Sequence, residues 1–141
     1  GSGMSLVVEG EAMQPRPGHT GSVELQTNFH PLWSEGMQLY WKDFKPGDKL
    51  SLAFDSEVEG IYYAKIQFTV APDYGTFALR VNDKVITPEI NLTNEEVSLL
   101  LVNLGQVNLK KGENELQIES AALASGHDTG FFGIDKLTLR K

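Results

Sequence analysis

Residues 62–70 read YYAKIQFTV, and their alternation decides the fold class. Tyr62, Ala64, Ile66, Phe68 and Val70 share one phase, while Tyr63, Lys65, Gln67 and Thr69 share the other. Successive side chains of a strand point to opposite faces, so this segment predicts a sheet with one face in a core and one in water. Further out, LSLAF at 50–54, TFALRV at 76–81 and ELQIE at 115–119 repeat the period of two. Turn signals separate them, namely Lys45-Pro-Gly-Asp, Glu59-Gly, Ala71-Pro-Asp-Tyr-Gly, Val81-Asn-Asp-Lys and Lys110-Lys-Gly-Glu-Asn. A helix is to be sought only over 94–100, a stretch short and rich in Val and Leu after Ser98. About eight to ten short strands with almost no helix predict an all-β protein, an antiparallel β-sandwich with jelly-roll topology.

At 141 residues and 40% hydrophobic content, one core suffices, and a single domain over 5–141 is expected. Residues 1–4, Gly-Ser-Gly-Met, read as a cloning remnant. No apolar run approaches the roughly 18 residues that a membrane-spanning helix needs. The formal charge is -7, and neighbouring cations go no further than Lys110-Lys111 and Arg140-Lys141. That excludes nucleic acid and makes anionic polymers poor partners, since phosphates need a positive footprint. The absence of cysteine excludes a disulfide framework, thiol catalysis and Cys-ligated zinc.

Two stretches carry candidate chemistry. In FHPLWSEGMQLYW at 29–41, Trp33 follows His30-Pro31 and precedes Ser34-Glu35-Gly36, which places it in or beside a loop as the candidate exposed aromatic. Alternation with Met37 and Leu39 puts Trp41 in the core and leaves Gln38 and Tyr40 on the other face. In GFFGIDKLTLRK at 130–141, Phe132 and Ile134 share a phase that Leu137 and Leu139 break. One extra residue near Asp135 restores it, so a β-bulge is expected there, with Asp135 as ligand, hydrogen-bond anchor or solvent-facing acid. The loop at 71–75 adds Asp73 and Tyr74, with Pro72 fixing φ and Gly75 permitting a positive one. Tyr74 suits a structural corner as well as a ligand. Flat rings beside oriented polar groups are what a sugar's apolar CH face and hydroxyls require.

Catalysis finds no support. His19, His30 and His127 are dispersed, and no hydrolase, zinc-protease, phosphate-loop or dinucleotide motif is present.

Taken together, VVEGEA at 7–12, WSEGMQLYW at 33–41, KPGDKLSLAF at 45–54, APDYGTFALRVNDK at 71–84, KKGENELQIE at 110–119 and GFFGIDKLTL at 130–139 resemble a bacterial jelly-roll module of the galactose-binding-domain-like superfamily. The opening E-x-E and closing G-x-D-x-L-x-L are similar to carbohydrate-binding modules of families 6 and 35. The remaining elements look closer to jelly rolls appended to bacterial glycoside hydrolases. The resemblance implies a non-catalytic module that binds polysaccharide or oligosaccharide and targets an attached catalytic domain to it. A structural accessory domain that packs on the catalytic domain without touching sugar is the alternative. It implies a secreted setting, extracellular, cell-surface or periplasmic. By position it implies a structural Ca2+ held by Glu9, Glu11 and Asp135, consistent with the oxygen-rich shell that calcium takes. It also makes His127 and Asp128, ahead of the last strand, sugar-binding candidates. Here the chain departs from the pattern, because no second aromatic stands in 91–96 to form a sandwiching pair.

Overall fold

The computed structural model describes residues 5–27 and 33–141. Residues 1–4 and the His30-Pro31 signal ahead of Trp33 lie outside them. Eleven strands follow in order: β1 (Ser5–Glu9), β2 (Gln14–Pro15), β3 (Ser22–Thr27), β4 (Met37–Phe44), β5 (Lys49–Ser56), β6 (Gly60–Val70), β7 (Thr76–Val81), β8 (Lys84–Asn91), β9 (Ser98–Leu109), β10 (Gly112–Ala122) and β11 (Gly130–Arg140). Two short 3-10 turns, Gly10–Ala12 and Ser34–Gly36, are the helical segments among the described residues. One sheet runs β3-β4-β11-β6-β9 with β1 also on β11, and the other runs β2-β5-β10-β7-β8. Every strand pair is antiparallel. The expected β-sandwich is therefore the fold.

The four alternating segments all lie in strands, β5, β6, β7 and β10. In β6, Ala64, Ile66 and Phe68 are buried while Tyr63 and Lys65 face out. The segment 94–100 is not helical. Asn94 Nδ2 donates to Glu96 O at 2.7 Å to close a turn, and β9 begins at Ser98. Its β-branched and apolar residues find a neighbour in β6 along eleven paired positions, which outweighs a helix too short to sustain itself.

The core joins the sheets through rings. Trp41 stacks on Phe44 with centroids 3.8 Å apart. From there, edge-on contacts lead to Phe77 on the opposite sheet at 5.8 Å and back to Phe132 at 5.1 Å. Trp41 is fully buried, and its Nε1 donates to Thr20 O at 2.8 Å. Leu39 packs beside it, as the alternation predicts.

Strand β11 organises the first sheet. Gly130 to Ile134 pair with β4, the residues from Lys136 onward pair with β1, and its other edge pairs with β6. The register against β6 shifts between Ile134 and Lys136. This is the expected bulge, and it lets Phe132, Ile134, Leu137 and Leu139 all reach the core.

Candidate functional site

The outer face of the first sheet turns Gln38 and Tyr40 away from Trp41, and the chain folds back over it at the Ser34–Gly36 turn. The result is a cleft of about 330 Å3, at the small end of the range for ligand sites, lined by Gln26, Trp33, Tyr40, Thr69, Ala71, Pro72, Asp73, Tyr74 and Val97. It draws together four expected residues, Trp33, Tyr40, Asp73 and Tyr74, with Gln38 buried beneath.

The sequence expectation for Trp33 needs correction. The ring is only 3% exposed rather than presented to solvent. Its Nε1 donates to Thr69 Oγ1 at 2.9 Å. An indole folded onto a sheet must find an acceptor for its N–H, and Thr69, on the outward phase of β6 but buried beneath the indole, supplies one. Trp33 is thus a wall of the cleft and not an open platform.

Gln38 is likewise fully buried. Its Oε1 accepts from Thr69 Oγ1 at 2.5 Å, and its Nε2 donates to Gln26 Oε1 at 2.7 Å and to the Tyr74 hydroxyl at 3.3 Å. Gly133 makes room for this amide, since a Cβ there would lie 2.2 Å from Gln38 Oε1. Each buried polar atom in this floor is held by another, which fixes its shape.

Tyr40 is half-buried, stacks at 14° on Phe131 with centroids 6.2 Å apart, and offers its ring to the cleft. Burial, with the charges of Asp73, Glu24 and Asp43, pushes its phenol up to about 12, so it stays a neutral donor. Tyr74 is buried at the corner, and burial raises its phenol further. Tyr74 thus packs into the core at the corner while its hydroxyl meets the floor amide of the cleft.

The loop bearing Asp73 is pinned to the segment after β8. Leu92 N donates to Gly75 O at 2.8 Å, Asn94 N to Ala71 O at 3.0 Å, and Thr93 Oγ1 to Tyr74 O at 3.0 Å. Gly75 does not adopt a positive φ, contrary to expectation. Glycine is needed there because a Cβ would lie 2.2 Å from Ala122 O. Asp73 makes no side-chain hydrogen bond among the described residues and stands at the rim as a ready acceptor.

His127 and Asp128 are exposed on the β10–β11 loop and do not line the cleft. Gln26, Thr69 and Val97, which do, carry no motif. Their only trace in the sequence is the polar phase of a strand, as for Thr69.

Of the carboxylates expected to hold calcium, Glu9 and Asp135 are linked through Ser34 at a second junction, with Glu11 in the neighbouring turn. Glu9 ends β1, Glu11 sits in the 3-10 turn, and Asp135 occupies the bulge of β11. The turn lies directly on β11, where a Cβ on Gly10 would be 2.2 Å from Ile134 O. Asp135 is fully buried and so is not the solvent-facing acid that alternation allowed. Its Oδ1 accepts from Ser34 N at 2.9 Å and its Oδ2 from Gln67 Nε2 at 2.5 Å. Ser34 Oγ donates to Glu9 Oε1 at 2.6 Å, so one serine ties both carboxylates. Glu9 Oε2 is buried with no hydrogen bond, and both Glu11 oxygens are buried as well. Desolvation raises Asp135, with the Glu9 charge adding to it and the hydrogen bonds from Ser34 and Gln67 opposing. This donor set suits a hard cation in its chemistry, because an orphaned carboxylate oxygen faces a buried acid. Among the described residues, however, no three acidic or imidazole side chains converge on one point.

No protein-family profile matches the sequence, and no curated protein is significantly similar to it. Solved structures do match. A xanthan lyase from Paenibacillus superposes with a TM-score of 0.79 at 15% identity, over 94% of this chain and 13% of the lyase. A family 35 carbohydrate binding module from Clostridium thermocellum gives 0.63 at 12% identity, over 96% of this chain and 97% of the module. The C-terminal family 6 module of a laminarinase from Zobellia galactanivorans gives 0.55 at 17% identity, over 98% and 100%. The chain thus spans about an eighth of the lyase but the whole of the two modules. Its fold is the jelly-roll sandwich of carbohydrate-binding modules.

Proposed function

We propose that this chain is a non-catalytic carbohydrate-binding module whose ligand site is the cleft between Trp33, Tyr40 and the loop at 71–74. The observation that carries the reading is the pairing of a half-buried, stacked Tyr40 ring with a free rim carboxylate, Asp73, above a hydrogen-bonded floor. A sugar's CH face lies on the ring while Asp73 and the Tyr40 hydroxyl meet its hydroxyls. The fold shared with whole binding modules supports this. The cleft lining has one carboxylate among the described residues, whereas glycoside cleavage uses two. In a longer protein the module would bring an attached glycoside hydrolase to its polysaccharide outside the cell. The same reading gives Glu9, Glu11 and Asp135 a structural calcium that offsets their buried charge.

A structural accessory domain would need a broad apolar docking face. Val7, Leu25, Ile61, Tyr63, Val85, Leu100 and Leu101 are exposed, and they are spread over five strands of both sheets. Calorimetric titration against neutral plant and microbial glycans decides between the two. Binding that Tyr40→Ala abolishes supports the module, and silence across the panel from a folded protein removes it.

A further inference from the structure

We propose that the outer face of the first sheet carries a second ligand site, for saccharides bearing an anionic oxygen group, built by Tyr63, Lys65 and Arg140. It takes its ligand class from the carbohydrate reading above but uses none of the cleft residues. Tyr63 and Thr69 are six positions apart on β6, so the two sites stand about 20 Å apart along one strand.

The site is a groove of about 630 Å3 lined by Ser5, Tyr63, Lys65, Asn103, Thr138 and Arg140, with Lys141 at its end. Strand pairing assembles it from four segments. Arg140 is opposite Ser5 on β1 and Tyr63 on β6, and Lys65 is opposite Thr138 on β11 and Asn103 on β9. Lys65 and Arg140 are therefore diagonal neighbours, rooted about 7–8 Å apart. Like charges so placed repel unless an anion sits between them.

No acid among the described residues does so. The ion pairs of the described residues use Arg16, Lys42 and Lys49, and neither Lys65 nor Arg140 joins one. Lys141 Nζ donates to Glu59 O at 2.9 Å, which keeps a third positive charge at the groove without neutralising it. In a chain of net charge -7, the groove lining holds three cations and no acid.

Beside them Tyr63 is 55% exposed, and Gln106 Nε2 holds its hydroxyl at 3.2 Å. A fixed, open ring next to a guanidinium and an ammonium matches a sugar ring that carries a carboxylate or sulfate. The CH face rests on the ring and the anion takes charge-assisted hydrogen bonds. Asn103 Oδ1 is taken by Gly105 N at 3.0 Å, which leaves its amide N–H groups for a hydroxyl. Nucleic acid is a poorer occupant, because its phosphate density demands a far longer positive track on a protein that is otherwise acidic.

The test is titration of the whole protein with an oligogalacturonate, a sulfated galactan oligosaccharide and a neutral galactan oligosaccharide. It is repeated with Lys65→Gln/Arg140→Gln, with Tyr63→Ala and with Tyr40→Ala, each checked for an unchanged melting curve. Expected is a preference for one or both anionic sugars of roughly tenfold or more over the neutral one. The preference should vanish in the charge variant, weaken in Tyr63→Ala, decline with salt and persist in Tyr40→Ala. Which anionic probe wins names carboxylate or sulfate as the group. Equal affinity for all three sugars, a preference that survives the charge variant, or equal binding of inorganic polyphosphate each overturns the site. Loss of neutral-glycan binding in Tyr40→Ala alone bears on the cleft and leaves this site standing.

Discussion

The indole of Trp33 donates to the hydroxyl of Thr69, and the same hydroxyl donates onward to Gln38. A residue without any sequence signal thereby carries the wall and the floor of the cleft together. Thr69→Val keeps the shape and strips Trp33 Nε1 and Gln38 Oε1 of their shared partner. Each of the two buried hydrogen bonds lost costs about 1–3 kcal/mol, so urea denaturation should report a loss of roughly 2–6 kcal/mol. A change within about 0.5 kcal/mol, the size typical of ordinary surface substitutions, would mean that the network does not hold the cleft.

Ligand affinity should separate along the same geometry. Tyr40→Ala removes the stacked ring that faces the cleft and should lower neutral-glycan affinity by tenfold or more, about 1.4 kcal/mol. The double change His127→Ala/Asp128→Ala touches an exposed loop outside the lining and should leave that affinity unaltered. Titration calorimetry on both variants checks the contrast, and a reversed order would relocate the site to the β10–β11 loop.

Asp135 gives the protein an acid-side signature. Its folded carboxyl lies above the ordinary 3.8, so the native state holds its proton more firmly than the unfolded chain does. Its penalty is fully present above the raised value and fades as pH falls toward 3.8. Asp48, lowered by Thr20 and the Lys45 amide, acts in the opposite sense, and its contribution is lost as pH falls. Subtracting the Asp135→Asn profile from that of the parent isolates the first effect. In metal-free buffer, the parent should gain on the variant between neutral pH and about pH 4, read as urea midpoints. A flat difference would contradict the burial argument.

Calcium should act on the same carboxylates. An ion bound only by the native state adds about 2.7 kcal/mol at a hundredfold excess over its dissociation constant, so added calcium should raise the melting temperature after exhaustive chelation. Glu9→Gln and Asp135→Asn should each blunt that rise. An unchanged melting curve for the parent would withdraw the ion.

Gly75→Ala probes close approach and not backbone handedness. A Cβ placed 2.2 Å from Ala122 O forces β10 and the cleft loop apart, with an expected loss of roughly 1–3 kcal/mol in urea denaturation. A neutral outcome would show that the loop gives way easily.

Alternation was enough to read the sandwich, the core position of Trp41 and the bulge at Asp135, because a period of two reports directly on which face a side chain takes. The same rule set Gln38 apart from Trp41, yet could not tell that Trp33, ahead of the preceding turn, would fold over that outer face. Trp33 was misjudged for this reason. Whether a loop residue is covered depends on where the loop folds back, and strand periodicity carries no such information. The positive spot at Lys65 and Arg140 was hidden for a related reason. These residues are 75 apart in sequence and become neighbours only when β11 pairs with β6.

The pairing of Ser5 with Arg140 has a mechanical side. The first and last strands are antiparallel with their outer ends adjacent, so a pull applied at those ends meets the ladder rung by rung rather than all at once. Such a joint peels like a zipper. The sandwich would yield gently at its closing seam under tension, while the aromatic bridge between the sheets is loaded only after β1 has come away.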